Sequence, residues 1–576
     1  MAPYTFTLFA PYNKAAGLRL KNANARMFGL DIPMEKNEED GYFRVTVELA
    51  DGIYHYQFKI ITKSWFEVEP EPAVPSYTND ETMTIEENEE RKKNQDEEYI
   101  KMVQDIRDRN RKREEESSFT ELWYSFVDPY ATDVDERGSD DAYKSVGKRI
   151  LDEYEWKYDN AVKLVPDEQL IIYELHIGDF QSKFTDVTAK IDYIKQLGVN
   201  CVEIMPVKEY AGTHSWGYSP RYYFAIETGY GTSADFKELI DELHKNGIRV
   251  IMDGVYNHSE CSNPMAQIDH DYWFHHEPKD LEMSWGPEWN YKFYDPKYNV
   301  WPARKYIGES ILYMITEFHI DGVIRDYNGP MDGCWHDSMY WIIREALLND
   351  NVEWEKVKDV IDGKRQGYKR IVNLVNYVSN HDHDRLLVEL GKEHQLFDEE
   401  AFRRVRLGGT LFNHYESNFS GEEFGEYKEK TPGMAKLDWS LIDDLEDNSN
   451  QINKDLLQYY KDLIHLRKTN PSLYTTNINF IYENEQDGIL VYHRWNDIEK
   501  KQGDHLIVIV NWSKNTLTDY EIINMPMNGK YYDWINNQEH FVENNQLKLD
   551  EIKDHEAKIL IWEYGKADAK QIDNQQ

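Results

Sequence analysis

Between Leu170 and Phe412 the chain alternates short, β-branched apolar runs with longer stretches of helical spacing, and no other feature restricts its fold as much. Leu170 to Ile177, Val199 to Val207 and Gly247 to Asp253 read as buried strands. Continuous apolar runs bounded by Gly, Asn or Asp fit a sheet covered on both faces. Val187 to Leu197 and Ala234 to Lys245 carry helical spacing between them, the second with Phe236, Leu239, Ile240 and Leu243 on one face. Such alternation predicts an α/β fold with a parallel sheet, and its length favours a closed (β/α)8-type barrel. Asp321 to Asp326 predicts a fourth strand, Val372 to Asp382 a late one and Leu407 to Phe412 the last.

The count leaves a gap. Only eight residues separate Asp326 from Trp335, where a strand-helix-strand unit needs about 30. The barrel is therefore expected to be incomplete near its fifth strand, with edges left unpaired and closure irregular. Weak packing is also expected from Asn413 to Phe419, where a polar run stands instead of an apolar eighth strand.

The flanks read differently. Residues 1–80 alternate apolar and polar positions between Gly, Asn and Asp turns, which predicts a small β-sandwich. Residues 81–165 form a charged connector, of which Glu86 to Ser118 is the most polar part, relieved by a weak apolar stripe of Ile100, Met102, Val103 and Ile106. The barrel occupies 166–469, and 470–576 return to alternating strands as a C-terminal β-sandwich.

With 66 basic against 106 acidic residues the net charge is −40, so no nucleic-acid or membrane partner is expected, since both are polyanionic surfaces. A neutral partner meets no such repulsion. The 41 tyrosines and 16 tryptophans suit stacking on sugar faces, although any single ring more often fills a core. Cys201, Cys261 and Cys334 are too few and scattered for a disulfide framework or a structural zinc site. No apolar run approaches the roughly 18 residues of a membrane span, and no secretory signal is visible, so a cytoplasmic protein is expected.

Polar groups gather at the predicted strand ends: Asp253, Asn257 and His258; Arg325 and Asp326; His381 and Asp382; and Trp216-Gly217-Tyr218 after the second strand. Carboxylates beside an arginine and two histidines at one barrel mouth suit glycosidic-bond chemistry, because a nucleophilic carboxylate must stay ionised and a guanidinium lowers its pKa. A metal site built from Asp253, His258, His381 and Asp382 is an alternative, but it lacks a close two-histidine spacing.

Several blocks in order resemble the α-amylase superfamily, glycoside hydrolase family thirteen: Met252 to His258, Asp321-Gly322 through Asp326, and Val378 to Asp382. Tyr173 to Gly178, Glu203 to Val207 and Trp216 to Pro220 are similar to its branching, trehalohydrolase and debranching subgroup. The resemblance implies an N-terminal immunoglobulin-like, carbohydrate-binding-like β-domain and an α-glucan partner with α-1,4 or α-1,6 linkages, cleaved with retention. No cofactor is implied, and a structural calcium is left open. It makes Asp326 the nucleophile, Arg325 its charge partner and Asp382 the transition-state stabiliser. His258 and His381 become hydroxyl ligands, Tyr218 a ring stacked under the sugar, and Asp253 a buttress, with Trp216 and Asn257 at the substrate.

Two departures stand out. Arg325 and Asp326 are adjacent, whereas the family spaces them by one residue, and in a strand one position moves a side chain to the other face. The glutamate that serves as acid about 5 Å from the nucleophile has no counterpart, and Glu309, Glu317, Asp332 and Asp337 carry no motif that would replace it. Two readings follow: a retaining α-glucan hydrolase or transferase, or a catalytically impaired relative that only binds glucan.

Overall fold

The computed structural model describes residues 2–50, 52–62, 90–95 with scattered positions up to 112, 123–135, 146–149, 154–159, 165–166, 169–212, 215–277, 284–324, 334–368, 374–394, 397–412, 416–431, 436–443, 450–496 and 505–563. Arg325, Asp326 and Asp332 lie outside the described residues.

At the N-terminus, Ala2–Phe9, Ala15–Asn22, Ile32–Asn37, Tyr42–Leu49 and Tyr54–Ile61 pair antiparallel. The sheet does not end at residue 80. Tyr124–Phe126 and Val146–Arg149 both pair with Tyr54–Ile61, and Val134–Asp135 pairs with Val146–Arg149, so the stretch read as a connector returns three strands to this domain. Within the charged stretch, residues 90–95 are helical and Ile106, from the weak apolar stripe, is buried.

The centre is a curled parallel sheet of seven described strands. In spatial order they are Gly322–Ile324, Arg249–Asp253, Cys201–Ile204, Ile171–Leu175, Glu416–Phe419, Leu374–Ser379 and Cys334–Trp335. The first strand in sequence lies beside the last, as closure of a barrel requires. Gly322–Ile324 and Cys334–Trp335 have no pairing with one another among the described residues, and 325–333, where the sequence predicts the break, lie outside those residues. Helices cover the outside. Ser233–Lys245 begins at a capping box in which Thr232 and Asp235 accept each other's backbone N–H. Its apolar face buries Phe236, Leu239, Ile240 and Leu243 before the chain enters Arg249–Asp253.

Two expectations are corrected. Leu407 to Phe412 is not a strand but the end of a helix, Glu399–Phe412. Gly408 and Gly409, which look like strand punctuation, instead let helices approach: a Cβ on Gly408 would lie 3.1 Å from Leu347 and Leu386, and one on Gly409 3.1 Å from Tyr460. The last barrel strand is the polar run Glu416–Phe419, hydrogen-bonded on both edges, to Asn376–Ser379 and to Ile171–Glu174. Its last residue, Phe419, is 2% exposed, so this end of the strand is well packed.

After the helix Gln451–Thr469 comes an antiparallel sheet of eight described strands from Ile478–Asn484 to Ala557–Trp562. One face packs on the helices Glu399–Phe412 and Gln451–Thr469, and the other closes over its own apolar core.

Candidate active site

Three parallel strands deliver their last residues to the same end of the barrel. Ile171–Leu175 brings Glu174 and is followed by His176, Arg249–Asp253 ends on Asp253, and Leu374–Ser379 is followed by Asn380, His381 and Asp382. Side chains at a strand's C-terminal end in such a barrel face a common mouth.

His381 organises this mouth. It is 4% exposed, with Nδ1 2.7 Å from Oε1 of Glu174 and Nε2 3.3 Å from Oδ2 of Asp382. Burial by itself lowers the pKa of the ring, but Glu174, Asp382 and Asp253 outweigh it and hold the imidazole well above its ordinary value. The ring is therefore an imidazolium at neutral pH, donating from both nitrogens. Its hydrogen bond in turn holds the Asp382 carboxyl below the usual carboxylate range, and Asp382 itself is exposed to the mouth.

Tyr218 stacks on His381 with ring centroids 4.9 Å apart, and its hydroxyl donates to Oδ2 of Asp253 at 2.5 Å. Burial, with Asp253 and Glu174, pushes its hydroxyl well above 10, so it remains a donor. The loop that carries it depends on Gly217, whose φ is +87° and whose added Cβ would lie 2.6 Å from the Pro206 carbonyl oxygen. Only glycine combines that conformation with that approach. His258 secures the other side of the loop, with Nε2 2.8 Å from the Tyr218 carbonyl. Burial lowers the pKa of His258, so it is neutral and donates from Nε2. Trp216 donates from Nε1 to Asp179 at 3.0 Å, and Asp179 also meets Nδ1 of His176 at 3.0 Å.

The structure thus brings Tyr218, Asp253, His381 and Asp382 together, with His258 and Trp216 as braces of the Tyr218 loop. Asn257 is exposed beside His258, and its carbonyl accepts the Trp289 N–H. Both nitrogens of His381 already meet carboxylates, so it reaches a sugar hydroxyl only by giving up Asp382. Among the described residues no cluster of three or more His, Cys, Asp or Glu could hold a metal ion. Of the acids considered, Glu309 is occupied by Tyr130 and Lys305, Glu317 by Lys237, and Asp337 accepts from the Tyr377 hydroxyl at 2.8 Å.

Sequence reasoning passed over Glu174, Lys430 and Trp285. A lone glutamate inside Ile171-Ile172-Tyr173-Glu174-Leu175 was a usable signal, because a fully buried carboxylate needs a partner. Trp285 is 58% exposed and lies 5.8 Å from the His258 ring, and a tryptophan in the polar run Ser284-Trp285-Gly286 could have been singled out. Lys430 gave no signal.

The profile of the α-amylase catalytic domain matches residues 149–317, and that of the α-amylase C-terminal all-β domain matches 481–563. Solved structures share the fold. The type I pullulanase of Bacillus subtilis complexed with maltose superposes with a TM-score of 0.70 at 19% identity, covering 97% of this chain and 84% of that one. The pullulanase of Paenibacillus barengoltzii complexed with maltohexaose and α-cyclodextrin gives 0.71 at 20%, covering 97% and 94%. Residues 149–317 and 481–563 thus match α-amylase catalytic and C-terminal domains, and the chain is similar to trehalohydrolases, branching enzymes and pullulanases. A malto-oligosyltrehalose trehalohydrolase of Saccharolobus solfataricus is 28% identical over 475 residues, which are 63% of this chain and 81% of the relative. The maltogenic α-amylase of Bacillus acidopullulyticus is 27% identical over 396 residues, 59% of this chain and 64% of that protein. No helix among the described residues is long and apolar enough to cross a membrane.

Proposed function

We propose that this protein hydrolyses or transfers α-1,4 or α-1,6 glucosidic bonds of α-glucan with retention. In this reading Asp326 is the nucleophile, Arg325 its charge partner, and Asp382 grips the sugar hydroxyls in the transition state. The observation that carries it is the mouth itself: an ionised Asp382 aimed by a charged His381, opposite a Tyr218 ring locked to Asp253, in a chain whose relatives are glucan-processing enzymes. The hydroxyl of Tyr218 and the carboxylates offer the donors and acceptors a hexose needs, and the ring offers a flat apolar face. The relatives and the solved structures are named for enzymes, which disfavours a purely binding role. Trp285 supplies an exposed platform for a further sugar unit at the rim. A cytoplasmic location belongs to the proposal, supported by Cys201 and Cys261 remaining free thiols.

The test is release of sugar, or formation of new branch linkages, from soluble starch and from maltooligosaccharides, with Asp326→Asn as control. The wild type is expected to turn over, and the variant to lose activity by about 10⁴-fold or more. Equal background product from both would sink the proposal.

A further inference from the structure

The loop after Leu374–Ser379 divides its polar backbone groups between two side chains. The N–H groups of Asp382 and His383 both donate to Oδ1 of Asn380, each at 3.0 Å. The carbonyls of the same loop converge from the other direction on a single ammonium. Nζ of Lys430 donates to the carbonyls of Asn380 and His383 and, at 3.3 Å, to that of His381. Lys430 comes from the segment that follows Glu416–Phe419, 50 residues beyond Asn380, and it crosses the Phe419 ring at 4.7 Å to reach the loop.

We propose that Lys430 is a positioning residue for the reaction: by gathering three carbonyls of the 380–383 loop it fixes the direction in which Asp382 meets the substrate. The role rests on the functional reading above for its chemistry, but its geometry stands without it. Asp382 is exposed and, among the described residues, its carboxylate meets only His381, so its aim depends on a backbone held from behind. Asn380 holds only the amide side of that backbone. On the acceptor side an ammonium suits the task, since it offers three donors and can satisfy three carbonyls at once.

The surroundings fit a captive rather than a solvated lysine. Asp384 is engaged by Lys392 at 2.8 Å, and Arg385 donates to the Ser420 and Lys428 carbonyls. His383 stacks on Tyr340 with centroids 4.0 Å apart. Among the described residues the charged and titratable groups facing Nζ are Arg385, Asp384, Glu174, Asp382 and His383, with the His381 carbonyl at 3.3 Å. Burial, assisted by Arg385, pulls the amine down to about 8. Among the described residues its hydrogen bonds run to carbonyl oxygens rather than to a carboxylate, which is the arrangement expected of a group that orders backbone.

The experiment compares wild type with Lys430→Met, Lys430→Arg and Lys430→Gln, each checked for folding by circular dichroism. Hydrogen exchange of the amides of Asp382 and His383, corrected for intrinsic rates, reads the loop without reference to turnover. Lys430→Met is expected to lower their protection by about tenfold or more, Lys430→Arg to restore most of it, and Lys430→Gln to fall between them. On soluble starch, Lys430→Met is expected to lower kcat by about ten- to a hundredfold with little change in KM, the signature of a misplaced transition-state group, with recovery in Lys430→Arg. If Lys430→Met does not fold, Lys430→Gln against Lys430→Arg makes the same comparison. Protection unchanged in both Met and Gln variants, or lost equally in the Arg variant, would overturn the proposal. A wild type that turns over no glucan while the exchange pattern holds would overturn the functional reading and leave the loop assignment standing.

Discussion

Nδ1 of His381 lies 2.7 Å from Oε1 of Glu174, a carboxylate with no exposed surface at the end of the first barrel strand. Since Glu174, with Asp382 and Asp253, keeps the imidazole charged, the bond is charge-assisted and contributes about 2 kcal/mol. The histidine's folded pKa lies above its unfolded value of 6.5, so this stability is fully present below pH 6.5 and is lost as pH rises through the folded value. Glu174→Gln is therefore expected to cost about 2 kcal/mol in urea unfolding at pH 6, and visibly less above the pH at which NMR shows the ring to lose its proton. An equal loss on both sides of that titration would mean that the bond does not depend on the charge of the ring.

The same imidazolium sets the ionisation of the residue proposed to grip the sugar. Asp382 titrates below 3.8, mainly through its hydrogen bond from His381. His381→Gln keeps a donor but no charge, so the Asp382 carboxyl should move back toward its ordinary value. Carbon-13 NMR of the labelled carboxyl measures this directly, with the acid limb of any pH–activity profile expected to move in the same direction. An unmoved titration would assign the depression to something other than His381. The linkage has the opposite sign to that of Glu174 and His381: Asp382 contributes stability above its unfolded pKa, and loses it as pH falls through the folded one.

Periodic burial made the alternating strands and helices legible, because a strand covered on both faces is written locally in its own residues. So was the row of strand-end groups, since Asp253, His381 and Asp382 each follow an apolar run. What escaped was tertiary. Glu174 and His381 are 207 residues apart, and no local pattern announces that they touch. Lys430 acts on backbone carbonyls, which carry no sequence identity at all. Glu416–Phe419 was misjudged because strand propensity weighs side chains, whereas this run is held by ladders on both of its edges. Leu407 to Phe412 erred in the other direction, since a short apolar run does not by itself distinguish a strand from the end of a helix, and its glycines serve close helix packing.

At Gly217 a single methyl group should uncouple the mouth from the second strand. With φ at +87° and the Pro206 carbonyl oxygen 2.6 Å from the position of a Cβ, Gly217→Ala must move the loop that presents Tyr218. The expected cost is about 1–3 kcal/mol of stability, together with weaker binding of maltotetraose as the Tyr218 hydroxyl leaves Asp253. Calorimetric titration against a thermal melt separates the two effects. Unchanged affinity in a destabilised variant would show that Tyr218 is not a sugar platform.

Glu422 tests the core behind the site. It is 1% exposed, and its Oε2 accepts the Leu386 N–H at 3.1 Å. Burial pushes its carboxyl from 4.5 up to about 7, so the folded protein holds a proton there that the unfolded chain has released. Relative to the ionised site, stability is greatest below pH 4.5 and declines as pH rises toward about 7. At about 1.4 kcal/mol per pH unit the decline amounts to about 3 kcal/mol. Glu422→Gln keeps the acceptor for Leu386 and abolishes the titration. The variant should match wild type near pH 5 and exceed it at pH 8 by about 1–3 kcal/mol, read from urea midpoints with unchanged slope. A variant less stable than wild type at pH 8 would mean that the carboxylate is held there by charge rather than tolerated against burial, and Arg385, which faces it across the same core, would then be its partner.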